Sequence, residues 1–119
     1  MGLEAQWNNA KLALRDANVD LGPFDLERFN LELESALTAF DDAHENYLGA
    51  GKRKSSQQAR MLIGVISRAQ IVESIIAEYG SILQRLYDEA TDHKQKLGLL
   101  VACSHLMKIR QVLSPYVNF

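Results

Sequence analysis

The stretch Leu62–Ala90, LIGVISRAQIVESIIAEYGSILQRLYDEA, decides the fold of this 119-residue chain. Apolar residues recur through it in alternating steps of three and four: Leu62, Val65, Ala69, Val72, Ile76, Tyr79, Leu83, Leu86 and Ala90. That spacing keeps one face of a 3.6-residue helix apolar, whereas a half-buried strand would alternate at every second residue. Ile63, Ile66, Ile75 and Ile82 read as a second row, which widens the apolar face until it must meet more than one neighbour. Gly80-Ser81 and the capping-box spacing of Ser81 with Gln84 invite a break. Tyr79, Leu83 and Leu86 stay in phase across that point, so the stretch reads as one long helix from about Gln57 to Ala90.

Upstream, Leu3, Trp7, Ala10, Leu14 and Ala17 mark a first helix, with Trp7 as a core anchor. Its stop lies in Asn18–Pro23, where Gly22 frees the turn and Pro23 suits the first position of the next helix. Asp25 and Glu27 favour that helix's N-terminal end. Its stripe is Leu26, Phe29, Leu33, Ala36, Phe40, Ala43 and Tyr47, and Gly49-Ala50-Gly51 ends it. Lys52-Arg53-Lys54 forms a basic loop, and Ser55 or Ser56 is placed to cap the long helix.

Downstream of Ala90 the phase slips to Leu99, Ala102, Leu106, Ile109 and Leu113, which marks a turn. Asp92 with Gln95 offers a cap, so the fourth helix is expected from near His93 to just before Pro115. The apolar tail, Tyr116 to Phe119, is expected to dock. No strand pattern or repeat is visible. The fold class is therefore all-α, an up-and-down four-helix bundle with a long third helix, forming one domain over residues 1–119.

Composition narrows the function classes. Hydrophobic residues make up 47% of the chain, enough for a core without staples, and Cys103 is its only cysteine, which fits a reducing, cytoplasmic setting. The opening residues carry neither basic charge nor a long apolar segment, so no secretory leader is expected. The longest apolar run, Leu97–Cys103, is far short of the roughly 20 residues that cross a bilayer. The net charge of -2 hides an asymmetry: residues 1–50 carry ten acids and three bases, residues 51–119 ten bases and five acids. The simplest expectation is that the two halves attract each other within the bundle. The alternative is that each face steers a different partner.

Asp41 with His44, the neighbours Glu89, Asp92 and His93, and His105 do not reproduce the Glu-x-x-His pairs of carboxylate-bridged metal bundles, so no metal or cofactor is expected. Gly49-Ala50-Gly51-Lys52 lacks a preceding strand and is followed by Arg53, so it is not a phosphate loop. Cys103, Ser104 and His105 are consecutive on a helix and point apart, which excludes a relay among them. The leading expectation is a non-enzymatic interaction protein: an adaptor, assembly subunit or inhibitor, self-associating through Ile63, Ile66, Ile75 and Ile82 with Tyr116 and Phe119. The alternative is a small nucleic-acid-binding protein that uses Lys52, Arg53, Lys54 and Arg60, where a helix N-terminus adds to the attraction for phosphate. Lys94, Lys96, Lys108 and Arg110 would extend that patch if the fourth helix lay nearby.

Overall fold

The computed structural model describes residues 3–19, 26–49 and 55–118. They form four helices: α1 (Glu4–Asp16), α2 (Leu26–Gly49), α3 (Ser55–Glu89) and α4 (His93–Val117). Consecutive helices run antiparallel. α3 packs against both α2 and α4, and α1 closes the bundle mainly against α4, touching α2 only lightly. The result is an up-and-down four-helix bundle with extents of 56 × 23 × 22 Å. At 35 residues α3 is about 52 Å long and by itself spans the long axis.

α3 is unbroken through Gly80-Ser81, because the phase of Tyr79 and Leu83 rewards continuity. Val65, Ala69, Val72, Ile76, Tyr79 and Leu83 are buried, as the three-four spacing requires. So are all five stripe residues of α1 and all five of α4. α2 contributes Leu33 and Phe40, together with Leu37, which lies outside the stripe read from the sequence. Trp7 is fully buried and meets Tyr79 edge to face with ring centroids 5.1 Å apart.

The helix ends show where local sequence governs. α1 stops at Asn18, which takes φ 54. The Asn18 N–H then bonds to Arg15 O (3.0 Å) and the Val19 N–H to Leu14 O (3.2 Å), a Schellman closure with asparagine in the place usual for glycine. α4 starts as expected, with Asp92 accepting the Gln95 N–H at 3.2 Å. Its end is a correction: the helix passes through Pro115 to Val117. In the last turn proline removes only one donor, and Tyr116 and Val117 pack back onto the core, which holds the chain helical. The expected start of α2 at Pro23, its C-terminal glycine turn beyond Gly49, the loop Lys52–Lys54 and Phe119 lie outside the described residues.

α1 is held by two different seams. Against α4 the backbones close tightly where Gly98 faces Ala13 and Ala17. Against α2 the contact is a ladder of polar bonds: Leu3 N–H to Asp41 (3.1 Å), Thr38 hydroxyl to Glu4 (2.7 Å), and Trp7 indole N–H and Lys11 ammonium both to Asn30 Oδ1 (2.7 Å each). Beyond the N-terminal end of α1 no helix separates α2 from α4, and there Phe40, His44 and Tyr116 cluster, with the His44 ring 2.8 Å from the Tyr116 hydroxyl.

Candidate interaction faces

The isoleucines expected to form one row do not share a face. Ile66 and Ile75 are nine residues apart, about two and a half helical turns, so they fall on opposite flanks of α3. Ile75 is half-buried against the core, Ile66 and Ile82 are also half-buried, and only Ile63 stands out at 65% exposure. The row widens α3 in the sense anticipated, since the helix meets both α2 and α4.

Among the described residues the exposed large apolar side chains concentrate on α4 rather than on that row. Leu97, Leu100, Val101, Met107 and Val112 all point away from the core at 39% exposure or more. α4 therefore carries two stripes, Leu99 to Leu113 inward and Leu97 to Val112 outward. The signal was present in the apolar run Leu97–Cys103: seven consecutive residues wrap almost twice around a helix, so a two-sided bundle position cannot bury them all. Beside the outer stripe, α3 and α4 leave a groove of about 260 Å³, lined among others by Ala77, Gly80, Ser81, Cys103 and Met107. Gly80 keeps it open, because no atom lies within 4 Å of the place a side chain would occupy. Burial raises the pKa of the Cys103 thiol in this groove, and burial together with Cys103 raises that of the Tyr79 phenol behind it.

Among the described residues the basic side chains are not gathered into one patch. The antiparallel arrangement puts the N-terminal end of α4, with Lys94 and Lys96, beside the C-terminal end of α3, far from Arg60. Lys96 lies over the Tyr87 ring, 4.8 Å from its centroid, and Arg110 is paired with Glu73 at 2.6 Å. The ion pairs Lys11–Glu34 and Arg110–Glu73 each join partners within one half of the sequence, so these pairs do not link the acidic half to the basic one. Arg60 does gain a neighbour. It and Arg68 line one groove of about 470 Å³ between α2 and α3, with Asp42 and Asn46 opposite. The Arg68 guanidinium folds onto Gly64 O at 3.1 Å.

A larger concavity of about 820 Å³ runs along α1, its described walls formed by residues from Asn8 to Val19. Among its described lining residues the charged ones are Lys11 and Arg15. His44 is engaged by Tyr116 and His105 by Gln6 (2.8 Å), and among the described residues no three His, Cys, Asp or Glu side chains gather to hold a metal ion. No described helix is long and apolar enough to cross a membrane. No protein-family model, curated protein or solved structure matches the chain.

Proposed function

We propose that this chain is a non-enzymatic interaction protein, an adaptor, assembly subunit or inhibitor, that works by presenting a helix face to another polypeptide. The observation that carries this reading is the outward stripe of α4, five large apolar side chains that the bundle does not use. A contiguous apolar surface of that kind on a folded domain is a liability unless something covers it. The partner is either a second copy of the chain or a different protein.

Light scattering after size exclusion at low and moderate salt, with the 260 to 280 nm absorbance ratio recorded, tests the reading. A nucleic-acid-free oligomer that persists in salt, and that becomes monomeric when Leu100 and Met107 are changed to Ser, supports it. A monomer free of nucleic acid leaves the face to a different protein. A monomer carrying nucleic acid that salt strips away favours the second reading, binding of nucleic-acid phosphates at the α2–α3 end. The observation behind that reading is that Arg60 and Arg68 share one groove with neither in an ion pair among the described residues.

A further inference from the structure

We propose that the outer face of α4 docks an acidic amphipathic helix from a partner protein. This rests on the interaction reading above and names the partner's chemistry. Leu97, Leu100, Ser104 and Met107 follow one another in steps of three, four and three, the seam spacing by which one helix receives another. The α3–α4 groove opens alongside Met107 and gives one side chain of the incoming helix a recess floored by Gly80. Recessed anchors of this kind carry most of the energy of helix-in-groove contacts.

Charge selects the occupant. Lys94 and Lys108 are two heptads apart, about 21 Å along the helix, and both flank the seam on the edge away from α3. Both are exposed and neither forms an ion pair among the described residues, whereas Lys96 and Arg110 are engaged within the bundle. α4 contains no acidic residue at all. On the α3 side the rim is Ser81 and Gln84; Glu73 is neutralised by Arg110, and Asp88 accepts a hydrogen bond from Gln84. Two copies meeting α4 to α4 would oppose lysine to lysine, while a helix with glutamates two heptads apart would satisfy both. The chain's own acidic helix, α2, does not fit, because among its described residues the exposed large apolar ones are the isolated Leu31 and Leu48.

The test uses two three-heptad peptides with the same leucine seam, one with Glu and one with Lys at the flanking positions, titrated against the full chain by fluorescence anisotropy. The Glu peptide is expected to bind at least about tenfold more tightly than its Lys twin, and a Lys94→Glu/Lys108→Glu chain to reverse that order. Leu100→Ser/Met107→Ser is expected to weaken binding by about tenfold or more while the circular dichroism spectrum is unchanged. Equal binding of both peptides, abolished by Leu100→Ser/Met107→Ser, overturns the acidic partner and keeps the interaction reading. Dimerisation through this face without peptide binding does the same, since the occupant is then a second copy. Binding to neither peptide with the chain monomeric overturns the acidic helix, and binding to phosphatidylserine vesicles alone overturns both.

Discussion

At position 98 even a methyl group would collide with α1, meeting Ala17 Cβ and lying 3.1 Å from Ala13 O. Gly98→Ala should therefore destabilise the fold by about 1–3 kcal/mol despite alanine's better helix propensity. Gly80→Ala, in open space on α3, should stabilise it by up to about 1 kcal/mol. Urea unfolding of both variants measures the two signs side by side. Asp41 supplies a second residue-scale test. Burial raises its pKa above 3.8 and the Leu3 N–H opposes that rise, with Glu4 and Glu45 adding to it and His44 countering it. A carboxyl whose folded pKa is raised binds its proton more tightly in the folded chain. Its contribution therefore grows as the pH falls through the folded pKa toward 3.8, and is lost as the pH rises. Asp41→Asn keeps the acceptor for Leu3 and is expected to be no less stable at pH 7, with a flatter stability curve on the acid side. Asp41→Ala removes the acceptor and should cost about 1 kcal/mol.

Among the polar bonds that join α1 to α2, two converge on one residue. Asn30 accepts from both the buried Trp7 indole and Lys11, so Asn30→Ala leaves an indole N–H without its partner, at a cost of about 1–3 kcal/mol. The loss should be local: amide hydrogen exchange is expected to accelerate along α1 while the middle of α3 stays protected. α4 separates into two stripes by the same reasoning. Leu106→Ala on the inner stripe should cost about 2–5 kcal/mol, and Leu100→Ser on the outer stripe less than about 0.5 kcal/mol, as thermal denaturation will show.

For the molecule as a whole, the distribution of exposed apolar surface decides where another copy could attach. If the chain self-associates through α4, Ile63→Glu should leave both fold and assembly intact, because Ile63 is exposed on α3 and takes no part in the α4 stripe. Ile75→Glu should instead destabilise the monomer, since that side chain packs against the core. Light scattering and denaturation on the same samples separate these outcomes. An assembly lost with Ile63→Glu would move the interface from α4 to the N-terminal half of α3.

Read alone, the residues determine helix type, the buried stripes of α1, α3 and α4, the continuity of α3 and the Asp92 start of α4, because each depends on periodicity or on a cap within one turn. The end of α4 was not legible in this way: proline argues for a stop, and only the return of Tyr116 to Phe40 and His44 explains why the helix continues. The same holds for the candidate site. The run Leu97–Cys103 shows that apolar residues must point outward somewhere, but which of them do depends on where α1 and α3 sit. Charge was less legible still, since a sum over each half does not say which residues meet. Tertiary structure decided that Arg110 pairs with Glu73, that Lys94 and Lys108 make no ion pair among the described residues, and that Arg60 and Arg68 line one groove, because burial and pairing belong to packed neighbours and not to positions along the chain.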